Sequence, residues 1–213
     1  QENPSDPHNP MMDERGRVWN TSKIRNEQPA FCKQGSSNKY AQYYPLTNSS
    51  RQASVYDPAT GKFELIDTCF GTHHLQFAYD DPNDTLWTSG GGQVVGWLDT
   101  KKFDATGDAA ASQGWSPHVL DTNGNGRRDV GWVEPGQPAD AKRDTRIAAG
   151  FYAVMPNPAD HTVWGSAAFA YPGAILRFDP QTQLTEIYRP PLPGFGVRGA
   201  DIDSHGVVWA SLG

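Results

Sequence analysis

At 213 residues and 23.3 kDa the chain fits one domain of ordinary size or two small ones, with enough length to bury a real core. A mean hydropathy of -0.64 and the lack of any run near the ~20 apolar residues that a bilayer-crossing helix needs exclude such a span. With 18 basic against 24 acidic residues the net charge is -6, and no Lys/Arg run is present to release counterions, which argues against nucleic acid and anionic membranes as partners.

Gly 22 and Pro 17 make the chain rich in turns, and an aromatic share of 11% is too high for disorder, so the composition reads as a folded, mostly β protein. In chain order, one pattern recurs four times: a short apolar strand, a turn of Asp, Asn, Gly or Pro, then an aliphatic-Trp-small-Ser/Thr strand. It runs through His8–Thr21, His74–Ser89, Phe151–Ser166 and Arg198–Ser211, centred on Trp19, Trp87, Trp164 and Trp209. A second hairpin follows three of these, in Ser54–Leu65, Val95–Asp104 and Ile175–Ile187, each an apolar strand, an Asp-Pro or Asp-Thr turn and an alternating strand. Four strands per repeat predict the blades of an all-β propeller.

The Trp164-to-Trp209 interval is one blade long, whereas the two earlier intervals are longer, which places insertions near residues 22–51 and 104–143 of a single domain spanning 1–213. A short helical turn is expected near Ala105–Ser112. Pro190–Gly196 reads as a connection between blades. The second half of the fourth blade is not reached by Gly213, so about three and a half blades of a six-to-eight-bladed ring are expected, with the remainder in a second chain or a further segment. Cys32 and Cys69 are open to a bridge or to two buried thiols. The start at Gln1–Pro4, with neither Met nor a signal segment, suggests a removed leader or a missing upstream piece, and with it a periplasmic or extracellular location.

The repeat resembles that of the virginiamycin B lyase (streptogramin lyase) type of propeller, kin to NHL-like propellers. The residues that carry the resemblance are Asp13, Gly16, Val18 and Trp19, then Asp203, Gly206, Val208 and Trp209, and the run Arg177, Phe178, Asp179, Pro180 and Thr182, covering about half the chain. It implies the fold and, by analogy, a lyase that opens a cyclic ester with the help of magnesium and a His/Glu pair. This sequence has no Glu-x-His pairing to which those roles could be carried over.

Ligands of propellers sit at the mouth of the central channel, where the first strands begin. Alignment on the tryptophans puts His8 and Arg198 at equivalent positions with His74 close to them and His73 beside it. Neutral imidazoles there could hold a divalent transition metal, or one could act as general base with Arg198 stabilising an oxyanion; the plainer reading is a water-filled polar funnel. His118, His161 and His205 read as surface-turn residues. Asp121, Asn123, Asn125 and Asp129, with Gly126, match the first nine positions of a calcium loop, but Trp132 stands where the bidentate Glu is needed, and Glu134 is a candidate to complete a structural calcium site. The alternative there is a Gly-rich hairpin turn. Tyr40, Tyr43 and Tyr44, near Lys33 and Lys39, either cap the funnel, meet a partner, or pack the first insertion on a blade edge. The expected function is an exported propeller that binds a small molecule or metal at its axial funnel, as a lyase or hydrolase, or else a non-catalytic module that meets protein or carbohydrate through its insertion loops.

Overall fold

The computed structural model describes residues 6–23, 25, 27–49, 51–78, 81–90, 93–168 and 171–213, so the leader question at Gln1–Pro4 lies outside the described residues. The chain is all-β. A first antiparallel sheet takes β1 (His8–Met12), β2 (Val18–Ser22), β3 (Gln52–Asp57) and β4 (Lys62–Ile66) in sequence order. A second takes β5 (Leu75–Phe77), β6 (Thr85–Thr88), β7 (Val94–Asp99) and β8 (Gln113–Pro117). After a two-stranded excursion, β9 (Val119–Leu120) and β10 (Thr145–Arg146), a third sheet takes β11 (Val154–Pro156), β12 (Val163–Ser166), β13 (Ile175–Phe178) and β14 (Thr185–Tyr188). A final hairpin pairs β15 (Ala200–Ile202) with β16 (Val208–Ala210).

The recurring tryptophan holds the same place each time. Trp19, Trp87, Trp164 and Trp209 sit on the second strand of their sheets, opposite Met11, Gln76, Met155 and Asp201 of the first strand. The Asp-x-x-Gly-x-Val-Trp run has a local cause. Asp13 Oδ1 accepts the amides of Arg15 and Arg17, its carbonyl accepts the amide of Gly16, and its Oδ2 accepts the indole N–H of Trp19 at 2.9 Å. Asp203 repeats the set with His205, Val207, Gly206 and Trp209. One carboxylate thus closes the turn and holds the indole six residues on, while Gly16 and Gly206 take the left-handed conformation the turn demands.

The middle sheet is buried on both faces. Leu86 and Leu98 face the first sheet, where they meet Trp19, Val55 and Ile66; Trp87 and Val95 face the third, where they meet Val163, Leu176 and Phe178. Burying each such side chain contributes about 1.5–3 kcal/mol. The small residue after the tryptophan also has a use: the ring of Phe151 lies on Gly165, where a Cβ would come within 2.2 Å of it. The first strands of successive sheets are neighbours, β1 against β5, β5 against β11, and β11 against β15. At the two ends of the stack apolar side chains stay open: Tyr56, Phe63 and Leu65 on the first sheet and Trp209, 65% exposed, on the last hairpin.

The second sheet departs from the sequence expectation. Lys101–Asp104 does not form its fourth strand; Asp99 caps α2 (Thr100–Thr106), α3 (Ala109–Ser112) follows, and the fourth strand is β8. The cause is the Asp99 carboxylate, which accepts the amide of Lys102 and starts a helix, with Phe103 then buried between the first two sheets. The first insertion carries a short 3-10 turn at Ala30–Cys32 and α1 (Lys39–Tyr43), capped by Asn38. It packs on the second sheet: Tyr40 lies 5.5 Å from Trp115 and 5.3 Å from Trp97, and the Trp115 indole donates to the Tyr44 carbonyl. Cys32 and Cys69 are joined by a disulfide with Cα atoms 5.2 Å apart, which ties the insertion to the segment between β4 and β5.

Candidate functional site

The start of each first strand carries the candidate residues because the strands themselves run side by side. His8 opens β1, where the register shifts before Met11; its carbonyl accepts from Thr21, and the side chain of the next residue, Asn9, accepts the amide of Leu75 on β5. His74 is fixed just before β5 by a two-way link to Ser89, its amide donating to the hydroxyl and its carbonyl accepting the Ser89 amide. Arg198 is held before β15 by its carbonyl, which accepts the Ser166 hydroxyl at 2.6 Å.

These placements bring the three histidines together. The rings of His8 and His73 stack at 4.3 Å, His73 and His74 meet at 4.6 Å, and His8 and His74 at 5.0 Å edge-on. One ring nitrogen from each lies within 4.8 Å of the other two. Burial first, then the neighbouring histidines and Arg198, push the His74 imidazole down to about 4; burial, then His8 and Arg51, also lower His73. Both shifts favour the neutral ring at pH 7, and His74 Nε2 is buried with no hydrogen-bond partner. Arg198 is linked to the imidazoles through Tyr152. It lies over the Tyr152 ring at 5.0 Å and donates to the Tyr152 hydroxyl at 3.1 Å, and Tyr152 in turn packs 4.5 Å from His74.

Tyr152 is the member of this group that sequence reasoning missed. It precedes β11 at the same remove from Trp164 that His8 and His74 keep from Trp19 and Trp87, give or take one residue, so the alignment that found the histidines could have found it.

The second candidate set lies apart, on the β9–β10 excursion. Asp121 accepts the amides of Gly124, Asn125 and Gly126, and the side-chain amides of Asn123 and Asn125 both donate to Asp129, at 2.7 and 3.0 Å. Glu134 does not join them: it pairs with Arg146 at 2.7 Å and accepts the Trp132 indole. The partner of β9 is β10. His118 also corrects the reading of a surface turn. It is wholly buried against Phe151 at 4.7 Å, because the chain turns inward between β8 and β9. His161 and His205 do stand exposed in turns.

Comparison with protein-family models and with curated proteins finds no match for this chain.

Proposed function

We propose that the chain is a run of blades from a β-propeller whose axial mouth binds a transition-metal ion or small ligand through His8, His73 and His74. The observation that carries the reading is the convergence of three imidazoles, from the starts of two neighbouring first strands, with a ring nitrogen of each within 4.8 Å of the other two. Three histidine ligands would leave one tetrahedral coordination position for water or substrate. Antiparallel four-stranded meanders stacked face to face, with their first strands adjacent, fit radial repetition. The apolar end faces fit coverage by further sheets, so the partner is the remainder of the ring. The disulfide supports an exported, oxidising location.

In the catalytic form of this reading, one imidazole removes a proton and Arg198, hydrogen-bonded to Tyr152, stabilises the developing oxyanion, as in a lyase or hydrolase; a metal held by the three histidines would supply Lewis acidity. Titration of chelator-treated protein with Zn²⁺ at pH 7 tests the site. One ion per chain is expected, and the His8→Ala/His74→Ala double variant should lose it; equal binding by the double variant removes the site.

A non-catalytic carbohydrate-binding module is the second reading, favoured by a cleft of about 660 Å³ near the opposite ends of the same strands, where Tyr40 and Trp97 meet Asp81, Asp160 and Asp179. Aromatic faces beside carboxylates suit a sugar ring, and saccharide titration with a Trp97→Ala control separates this reading from the first.

A further inference from the structure

The β9–β10 excursion poses an electrostatic problem that the protein alone does not solve. Pairing of Leu120 with Thr145 sets the register, and one step further along the hairpin brings Asp144 opposite Asp121. Asp144 is 0% exposed; its Oδ2 accepts the amide of Asp129 at 2.7 Å, and its Oδ1 is buried with no partner at all. Asp129 is in direct contact with Asp144, its Oδ2 accepting the Asp144 amide at 3.4 Å, and Asp121 lies across the register. Among the described residues no lysine or arginine pairs with any of the three carboxylates. Lys142 and Arg143 are neighbours in sequence, yet the Arg143 guanidinium donates to the Trp132 carbonyl instead. A buried carboxylate with a bare oxygen next to two further carboxylates calls for a cation.

We infer that Asp144 completes a calcium site with Asp121, Asn123, Asn125 and Asp129, taking from the returning strand the role that the twelfth loop position fills in an EF-hand. Three carboxylates and two side-chain carbonyls supply the hard oxygen donors that Ca²⁺ requires, and the Arg127 carbonyl occupies the position from which such loops add a main-chain ligand. The two asparagines donate their amide groups to Asp129 while their carbonyl oxygens accept the Asn125 and Arg127 amides, and each such oxygen keeps a second lone pair for the ion. Gly126, at φ 72°, makes the sharp bend at the sixth position. The consequence reaches beyond the loop. Arg128 lies over Tyr43 at 4.9 Å and donates to Ser116, so fixing the loop also fixes the contact between the two insertions.

Full-length protein stripped with chelator is titrated with CaCl₂ by calorimetry, and trypsin cleavage after Arg127 and Arg128 is followed with and without the ion. One Ca²⁺ per chain is expected, with cleavage slowed about tenfold and affinity weakened at least about tenfold in Asp144→Asn. Asp121→Asn, at the rim of the loop, must weaken binding as well and serves if Asp144→Asn does not fold. The His8→Ala/His74→Ala variant should bind Ca²⁺ as wild type does, so failure of the axial site leaves this one standing. No heat and no protection up to about 10 mM CaCl₂, or wild-type affinity in whichever of the two aspartate variants folds, overturns the inference.

Discussion

Acidification from neutral pH should destabilise the protein through His118. The imidazole sits in the wholly buried layer between Phe151 and Thr185, its Nδ1 3.3 Å from the threonine hydroxyl and its Nε2 without a partner, and burial alone pushes it down to about 3. In the unfolded chain the same group titrates near ~6.5. The unfolded state therefore binds the proton first, so stability is full above about pH 6.5 and falls with pH until the folded pKa is reached. Each pH unit in that window costs about 1.4 kcal/mol, which gives about 2 kcal/mol between pH 7 and pH 5. Half-buried His74 acts in the same direction with a smaller, solvent-screened share. Asp13 and Asp160, whose carboxyls are held below the ordinary range, stay ionised throughout that interval and do not contribute. Urea unfolding followed by tryptophan fluorescence at the two pH values measures the loss in wild type and in His118→Phe. The variant should lose about 2 kcal/mol less on acidification than wild type. Equal losses in the two proteins would refute the placement of a neutral, buried imidazole at this position.

Three further outcomes follow from the packing. Cys32→Ser/Cys69→Ser opens a loop of sequence separation 37, and the chain-entropy relation puts the loss at about 4 kcal/mol, read as a lower urea midpoint; an unshifted midpoint would mean the bridge does not form. Gly165→Ala drives a methyl group into the Phe151 ring and should cost about 1–3 kcal/mol, a fall in Tm of several degrees by thermal melt, whereas Gly136→Ala, with open space around it, meets no neighbour and should show only its backbone strain. Asp13→Ala strands the buried Trp19 indole N–H and should cost about 1–3 kcal/mol, while Asp203→Ala, beside the exposed Trp209, should cost less; equal losses by denaturant titration would contradict the difference in burial.

What the sequence disclosed was the part written in short-range chemistry. The Asp-to-Trp turn is self-contained within seven residues, so Trp19 and Trp209 announced their hairpins, and the shared spacing then aligned His8, His74 and Arg198 at the starts of the first strands. The same arithmetic reaches Tyr152, twelve residues before Trp164. The fourth strand of the second sheet was hidden for a different reason. Lys101–Asp104 stands where the other repeats place a strand, but the Asp99 cap and the burial of Phe103 decide in favour of helix, and burial is a tertiary fact. The inward turn of His118 and the arrival of Asp144 opposite Asp121 depend likewise on how a twenty-odd-residue excursion returns to its own strand, which no local pattern records.

The most direct test of the metal-binding mouth is an anomalous diffraction map recorded at the zinc edge from crystals grown with Zn²⁺. A single strong peak about 2.0–2.1 Å from ring nitrogens of His8, His73 and His74 is the expected result. A peak elsewhere, or those three rings pointing to separate surfaces, would contradict both the site and the stacking of first strands that assembles it.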